Sequence, residues 1–425
     1  MVRLPVRGEL RMTVAMRTIA RQRPRRLALT LSGGVITDAL RALGVQGDGR
    51  ASPDSSMGIW EATTSLCTNG GFETNPTGWG STSQGVVARS IAAAKFGVAS
   101  GSVTSTGAGN NRTITGGTNS LAGSPLAQVA RTFSIWVLGS GATIGKTCSF
   151  QVNETGGAFG DAFYGGVAPA SVVLSAVWQR VTLTGTTTKA DRTLLYSFIT
   201  VPSAGAGEVY YIDGFQVEQK PIATPYVETN GATASRAAAR VPAPASLLNA
   251  TQGWVAMRVR MGWPSASVTL VSSTDPRFMW WGVNDSRICI SPTTVTVQLI
   301  SDTGPNDIVN AACTWAAGDI ITVIAAWTAT HIKISANGAA FSAPVARTAV
   351  PTLASATFGI GYRDEGGGSG ELDSDILWFA CRLGTLTDAD AAMIHGFGNT
   401  DPSFYALPAT AMWNADTAIF EGMFA

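Results

Sequence analysis

Short stretches in which apolar and polar residues alternate recur along most of this chain, and turn residues separate them. Alternation with a period of two places successive side chains on opposite faces of a strand. Many short strands at regular spacing are typical of antiparallel β-sandwiches. Segments 133–141, 178–188, 194–201 and 208–219 show the pattern most clearly. The sequence therefore predicts an all-β protein.

The segment 208–219, EVYYIDGFQVEQ, shows how alternation assigns faces. One face of the predicted strand carries Val209, Tyr211, Asp213, Phe215 and Val217, and the other carries Tyr210, Ile212 and Gln216. A second region of alternating segments opens at GWVAMRVRMGW (253–263), and 320–344 predicts three strands joined by Thr-Ala-Thr and Asn-Gly turns. One short helix is predicted near its end, with Thr387 as N-cap, Asp390 three residues later and Gly396 as the stop.

Two interruptions of the alternation set the predicted domain limits. The segment 34–44 has helical spacing and a linker follows it, whereas 229–246 is rich in Ala and Pro. We predict two antiparallel β-sandwich domains of jelly-roll type, preceded by an extended and partly helical N-terminal arm. The predicted segments are a basic anchoring arm with a linker (1–58), a first sandwich (59–228), a linker (229–246), a second sandwich (247–398) and a C-terminal extension (399–425).

The charge distribution limits the kinds of partner that the chain can bind. The net charge is +1, which gives no global field toward nucleic acid or a membrane surface, and no apolar run is long enough for a membrane span. Residues 1–26, however, hold eight arginines and one glutamate, Glu9. Contact with neighbouring proteins is the favoured role of this arm, with nucleic acid or acidic lipid as the alternative. The five cysteines are scattered singly, which favours small buried side chains over disulfides or a zinc site.

The two ends of the first β region carry a resemblance to known modules. NGGFETNPTGW (69–79) at the start, with WQRVTLT (178–184) and YYIDGFQVEQ (210–219) at the close, resembles the carbohydrate-binding jelly rolls of glycan-degrading enzymes and phage tail proteins. The continuation KPIATPYVETNGATASR (220–236) resembles the exit from this module in phage minor tail proteins. In the second region, IKISANG (332–338) and GELDSDILWFACRLGTLTDADAAMIHG (370–396) resemble the concanavalin A-like, laminin-G-type sandwich.

The first resemblance implies a metal site. Its family commonly holds a structural Ca²⁺ between the Glu of the opening Phe-Glu and the Asp of the closing Ile-Asp, which here are Glu73 and Asp213. Calcium takes hard oxygen ligands, and backbone carbonyls of a Gly-rich turn could supplement two carboxylates. Glu73 and Asp213 could equally accept hydrogen bonds from loop amides with no metal present. Trp79 is expected in the core.

Exposed aromatic side chains are the candidates for a glycan site. In RFMWWGVNDSR (277–287), alternation places Trp280 and Trp281 on opposite faces of a strand, so one of them is exposed unless both faces are covered. Core packing is the favoured role of each ring. The alternatives are a contact between subunits and a glycan platform, for which the candidate residues are Trp281, Asn284 and Asp285.

Catalytic patterns are few. Glu371, Asp373 and Asp375 in GELDSD would project from one strand face, as paired carboxylates do in retaining glycosidases. A structural role is favoured for them at the end of a laminin-G-type module. His331 and His395 are the only histidines, and both are expected to be structural, with His395 charged at a helix end.

These observations predict a non-enzymatic phage virion protein, a minor tail or tail-tip component made in the host cytoplasm. Its arm would bind other virion proteins, and its sandwiches would display loops to host surface glycan in a homo-oligomer. Two alternatives stay open, a purely structural decoration or scaffold protein and a secreted glycan hydrolase or its accessory module.

Overall fold

The structure is a computed structural model, and it describes most of the chain between residues 57 and 396. The described ranges are 57–81, 84–107, 112–115, 120–122, 126–158, 160–239, 241–245, 248–267, 276–281, 286–290, 293–299, 307–348, 350, 357–362, 371–382 and 384–396. The predicted arm up to residue 56, its helix at 34–44 and the C-terminal extension lie outside the described residues.

The chain forms two compact units, one nested within the sequence of the other. The first sandwich is Ala62–Arg236, and the second combines the residues up to Glu61 with those from Ala237 onward. Strand β1 (Met57–Ile59) therefore belongs to the second sandwich, although it precedes the first in sequence. Segment 229–246, predicted as a linker, contains one strand of each sandwich, and the division falls between them.

Two main sheets build the first sandwich. Its strands are β2 (Thr63–Ser65), β3 (Trp79–Ser81), β4 (Gly85–Ser90), β5 (Ser100–Ser105), β6 (Arg112–Thr115), β7 (Leu121–Ala122), β8 (Arg131–Gly139), β9 (Thr147–Thr155), β10 (Ala162–Phe163), β11 (Ala170–Val173), β12 (Gln179–Gly185), β13 (Leu194–Thr200), β14 (Val209–Glu218) and β15 (Ala234–Arg236). A five-stranded sheet has the order β12-β8-β14-β5-β4, and a seven-stranded sheet has the path β10-β9-β13-β6-β3, with β11 on β9 and β7 on β13. Strands β2 and β15 pair separately.

The core of the first sandwich lies between these sheets. Trp79 closes it as predicted, because its ring stacks on Phe72 at 4.8 Å and meets Phe215 edge-on at 5.3 Å. The predicted alternation of β14 is wrong beyond Asp213. A bulge at Gly214, whose φ is +56°, shifts the register, so Phe215 and Val217 join Tyr210 and Ile212 in the core.

In the described residues, the second sandwich packs two six-stranded antiparallel sheets and one α-helix. Its further elements are β16 (Val241–Pro244), β17 (Gly253–Arg260), β18 (Arg277–Trp281), β19 (Ser286–Ile290), β20 (Thr294–Leu299), β21 (Asp307–Ala312), β22 (Ile320–Trp327), β23 (His331–Ala336), β24 (Val345–Ala346), β25 (Thr357–Ile360), β26 (Ser374–Arg382) and α1 (Asp388–Gly396). One sheet has the order β1-β26-β17-β22-β23-β24, and the other β16-β25-β18-β19-β20-β21. The prediction of an all-β chain with two antiparallel sandwiches is confirmed for the described residues.

Two local features of this sandwich, an Asn-Gly turn and a helix cap, were predicted from the sequence. Asn337 and Gly338 have φ of +48° and +83°, as the predicted Asn-Gly turn requires, but no strand forms over 339–344, and β24 pairs with the start of β23 instead. The predicted helix cap is confirmed. The amide of Thr387 donates to Asp390 Oδ2 at 2.7 Å, and the amide of Asp390 donates to Thr387 Oγ1 at 3.2 Å.

The cysteines are buried, and His395 is a half-buried structural group. All five cysteines are buried and none forms a disulfide, as predicted. His395 Nε2 lies 2.6 Å from Ser335 Oγ, which ties α1 to β23. Burial, aided by nearby Arg258, lowers the pKa of His395 to about 4, so the expectation of a charged His395 at the helix end is wrong at neutral pH. No helix in the described part of the chain is long and apolar enough to cross a membrane.

Candidate functional site

Glu73 and Asp213, the predicted metal ligands, grip the same loop of the first sandwich. Asp213 is fully buried, and its Oδ2 accepts the amides of Lys95 at 2.7 Å and Phe96 at 3.0 Å. Glu73 accepts the amide of Val98 at 3.1 Å. The loop runs from β4 to β5, so the two carboxylates fasten the opening and closing segments of the domain to one connection.

Glycine at position 97 is required for the hydrogen bonds of Glu73 to this loop. Gly97 has a φ of +60°, and a Cβ placed there would lie 2.1 Å from Glu73 Oε1. A side chain would therefore displace the carboxylate from the loop amides. Sequence spacing does not show that Glu73 and Asp213 lie together, and only the resemblance predicts it. The loop that they bind contains no motif from which its role could be predicted.

The donor set around the pair favours hydrogen bonding over a metal. Every oxygen of the two carboxylates accepts at least one amide hydrogen, including that of Gly214 on Asp213 Oδ1 at 2.7 Å. Among the described residues no group of three or more His, Cys, Asp or Glu side chains could hold a metal ion. Calcium would have to displace amides from oxygens that they already occupy. Of the two alternatives for Glu73 and Asp213, the geometry favours amide capping, and calcium stays a prediction.

The pKa of Asp213 makes the two alternatives distinguishable. Burial, together with the smaller effect of the charge of Glu73, raises this pKa from 3.8 to about 7 against the opposing effect of three amide donors. The folded domain then holds a proton on Asp213 that the unfolded chain releases between those pH values. The resulting stabilisation is complete below pH 3.8 and is lost as the pH rises through 7.

We therefore expect the melting temperature of the wild type, relative to that of Asp213→Asn, to fall by several degrees between pH 4 and pH 8. The Asn variant cannot titrate at this position and serves as the reference. Melts of the full chain with and without EDTA provide the measurement. Calcium would produce the opposite slope, since it stabilises the ionised carboxylate, and EDTA would then lower the melting temperature near neutral pH. If the melting temperatures of the wild type and of Asp213→Asn change equally with pH, the raised pKa of Asp213 is contradicted.

Trp281 is not an exposed platform. All five residues of β18 are buried, because both faces of this strand are covered, and Trp281 is only 3% exposed. Its ring stacks on Trp327 of the facing sheet at 5.7 Å. The prediction of a glycan platform on Trp281 is therefore wrong, and its role is core packing. Its proposed companions Asn284 and Asp285 lie outside the described residues.

The GELDSD carboxylates do not share one strand face. Strand β26 begins only at Ser374, and Asp373, with a φ of +49°, breaks the alternation before it. Asp373 Oδ1 accepts the amide of Glu61 at 2.7 Å, and Asp375 Oδ1 accepts the indole N–H of Trp60 at 3.2 Å. These contacts attach the residues around β1 to the last strand. The structural role favoured for this motif agrees with these contacts.

Aromatic and amide side chains meet instead on the outer face of the seven-stranded sheet. Strand β9 alternates between buried residues and half-exposed ones, and the half-exposed set includes Gln151 and Asn153. Asn153 lies opposite Phe163 of β10 on one side and Tyr196 of β13 on the other. Directly paired residues project to the same face of a sheet. We call Phe163, Tyr196, Phe198, Gln151, Asn153 and Asp161 the aromatic face.

The side chains of the aromatic face hold one another in place. Tyr196 meets Phe198 edge-on at 5.2 Å, and its hydroxyl donates to Asp161 Oδ2 at 3.0 Å. Hydrogen bonds from Thr155 and Tyr196 lower the pKa of Asp161, so this exposed carboxylate is ionised at neutral pH. Phe163 is 44% exposed. An exposed ring, a second ring and an amide group between them are thus displayed on one face of the sheet.

The aromatic face could be predicted only in part from the sequence, for a physical reason. Alternation in LLYSFITV does place Tyr196 and Phe198 together, opposite the buried Leu195 and Ile199. Phe163, however, lies in a two-residue strand within a Gly-rich segment, where no periodicity exists to assign it a face.

Comparisons with known proteins return structures only. No protein-family model and no curated protein matches the chain. The xylan-binding domain CBM22-1 of Xyn10C from Paenibacillus barcinonensis is similar at 20% identity over 37% of this chain and 95% of that chain, with a TM-score of 0.30. The CBM22-1–CBM22-2 tandem of the same protein aligns with 76% of this chain and 96% of its own, at 11% identity and a TM-score of 0.30. Domain 4 of AbnA, an extracellular arabinanase from Geobacillus stearothermophilus, aligns with 41% of this chain and 81% of its own, at 14% identity and a TM-score of 0.26. TM-scores this low do not establish a shared fold, and the two sandwiches are defined by their own strand pairing.

Proposed function

We propose that this chain is a non-catalytic glycan-binding protein that holds sugar on the aromatic face. The observation that carries the proposal is the cross-strand row Phe163–Asn153–Tyr196, in which an amide lies between two rings. A pyranose ring has an apolar C–H surface that packs on an aromatic ring, and its hydroxyls hydrogen-bond to amides and carboxylates. Gln151, Asn153 and Asp161 supply such groups beside the rings.

The shape of the face limits the affinity. A solvent-facing sheet cannot enclose a ligand as a deep pocket does, so most of the sugar surface stays in water. Single-site dissociation constants on the order of 0.1–1 mM are expected for such weak burial. Several copies on one assembly would convert this affinity into useful avidity.

Binding without cleavage is proposed because the strongest catalytic candidates serve structure. Retaining hydrolysis needs two accessible carboxyl groups about 5–5.5 Å apart. Glu371 and Asp373 are 3% and 0% exposed, and Asp373 accepts a backbone amide.

The test replaces single rings and measures glycan binding by the full chain. Phe163→Ala and Tyr196→Ala should each weaken binding at least tenfold, because a ring that stacks on sugar contributes roughly 1.5 kcal/mol or more. Tyr211→Ala is the matched control, since Tyr211 is a half-exposed tyrosine of the other sheet. Arrays of microbial surface polysaccharides provide the ligands, and titration calorimetry gives the constants.

Three outcomes would contradict the proposal. Unchanged binding in both ring variants would place the glycan site elsewhere. A wild-type protein that binds no glycan even as a multimer would favour the purely structural decoration or scaffold role. Release of reducing ends would favour the hydrolase.

We further propose that the protein acts in a phage virion, as a minor tail or tail-tip component. The support is the resemblance of 220–236 to the module exit in minor tail proteins, together with the eight arginines of residues 1–26. Such an arm suits attachment to acidic surfaces of neighbouring virion proteins, while the sandwiches face host glycan. A density map of the intact particle that shows what residues 1–58 contact tests this setting.

A further inference from the structure

A cavity of about 380 Å³ opens on the second sandwich, and the proposed glycan binding does not use it. It lies beside the β22–β23 hairpin, and Pro344 and the residues just before α1 complete its wall. Ile332 and Ile334 of β23 are buried in the core, whereas His331 and Lys333 alternate with them and line the cavity. The cavity therefore opens on the outer side of its sheet.

The polar lining of the cavity is rich in donors. It contains the hydroxyls of Thr328, Thr330 and Thr385, the imidazole of His331 and the ammonium of Lys333. Thr328 Oγ1 already accepts the amides of Thr330 and His331, and Thr330 Oγ1 lies 2.9 Å from His331 Nδ1. None of the lining residues in the described part of the chain carries a carboxylate. Cationic and hydroxyl groups without a carboxylate suit a ligand that brings its own negative charge and its own hydroxyls.

The ammonium of Lys333 is held in place without an ion pair. Its Nζ donates to the carbonyl of Leu386 and lies 3.9 Å from the centre of the Phe341 ring. Asp388 Oδ1 and Asp390 Oδ2, the nearby acidic groups, accept the amides of Phe341 and Thr387. No carboxylate of the described residues forms an ion pair with Lys333. An ammonium has three donors, so hydrogens remain for a ligand.

The rest of the described lining is apolar apart from the indole N–H of Trp327, which donates to the carbonyl of Asn249 at 2.7 Å. Ala326, Pro344 and Leu386 give the cavity surfaces that carry no hydrogen-bonding side chain. Carbon-bound hydrogens of a ligand can pack there, which a bare inorganic anion cannot do. The volume falls within the usual range of small-molecule sites, about 300–1,000 Å³.

From this lining we propose that the cavity binds a small carboxylic acid that also carries hydroxyl groups, of the size of one sugar acid. The carboxylate lies against Lys333 and His331, the hydroxyls reach Thr330 and Thr385, and the carbon skeleton packs on Ala326 and Leu386. This site is independent of the aromatic face, and either can fail without the other.

The test uses glucuronate as the probe and glucose as its neutral counterpart. Titration calorimetry is run on the full chain carrying Phe163→Ala, so that the aromatic face contributes little. Glucuronate should bind with a dissociation constant on the order of 1 mM, as expected for a ligand of this size, and glucose at least tenfold more weakly.

Substitutions locate the site. Lys333→Gln should weaken glucuronate binding at least tenfold and His331→Gln about threefold or more. His331 is exposed, so its replacement leaves the fold intact even where Lys333→Gln perturbs packing. Lys189→Gln is the control, because it removes one charge from an exposed lysine of the other sandwich. Equal binding of glucose, unchanged binding in both cavity variants, or displacement of glucuronate by an equal concentration of sulfate would overturn the proposal.

Discussion

Replacing Trp281 by Ala is expected to lower the free energy of unfolding of the second sandwich by about 3–5 kcal/mol. The indole is 3% exposed and stacks on Trp327 across the two sheets, so its removal leaves a cavity that neighbouring side chains cannot fill. Glycan binding should persist wherever the domain stays folded, because the aromatic face belongs to the other sandwich.

Chemical denaturation of the full chain measures this loss. Ile308→Ala is the matched control, since Ile308 is an apolar residue of the same sandwich that is 44% exposed and should contribute much less. A loss below about 1 kcal/mol for Trp281→Ala would contradict its core role. Loss of glycan binding with unchanged stability would instead support Trp281 as a glycan-binding platform.

The strands of the first sandwich could be predicted because their signal is local. Segments 178–188, 194–201 and 208–219 correspond to β12, β13 and β14 within a few residues. The bulge that resets β14 was not predictable from alternation. A Cβ on Gly214 would lie 2.6 Å from the Phe96 ring, and Phe96 lies on a loop more than a hundred residues away in sequence. Tertiary packing therefore decides which side chains of β14 face the core.

The nesting of one sandwich within the sequence of the other was also beyond the local pattern. Met57–Ile59 pairs with β26, more than three hundred residues later, and a three-residue strand has too few positions to show a period. Composition placed these residues with the arm or with the first sandwich. Tertiary contacts assign this segment to the second sandwich, namely the pairing with β26 and the hydrogen bonds of Trp60 to Asp375 and of Glu61 to Asp373.

The candidate sites, too, could be predicted only in part from the local sequence pattern. Alternation placed Trp280 and Trp281 on opposite faces of β18, but it could not show that both faces are covered, so Trp281 became a platform candidate. Glu73 and Asp213 were paired correctly by resemblance, yet the loop amides that occupy their oxygens come from a segment without a motif. In each case the residues were visible in the sequence, and their surroundings were not.

Arg192→Leu is expected to destabilise the first sandwich by about 3–5 kcal/mol, because it leaves the carboxylate of Glu154 buried without its cation. Glu154 is fully buried at the end of β9, and Arg192 Nε donates to it at 3.1 Å. Arg192 also donates to the carbonyl of Gly160, next to Asp161 and near Phe163. The pair thus anchors the segment that carries one edge of the aromatic face.

This position separates Arg192→Leu from an ordinary core substitution. Glycan binding by the folded fraction should weaken, since Phe163 and Asp161 lose the bond that fixes their segment, whereas a substitution elsewhere in the core leaves it unchanged. Leu183→Ala in the five-stranded sheet, at 3% exposure, is the control for stability loss alone. Urea unfolding and glycan titration under native conditions are compared for the two variants. If both lose stability and both keep full glycan affinity, the buried ion pair stabilises the sandwich without positioning the aromatic face.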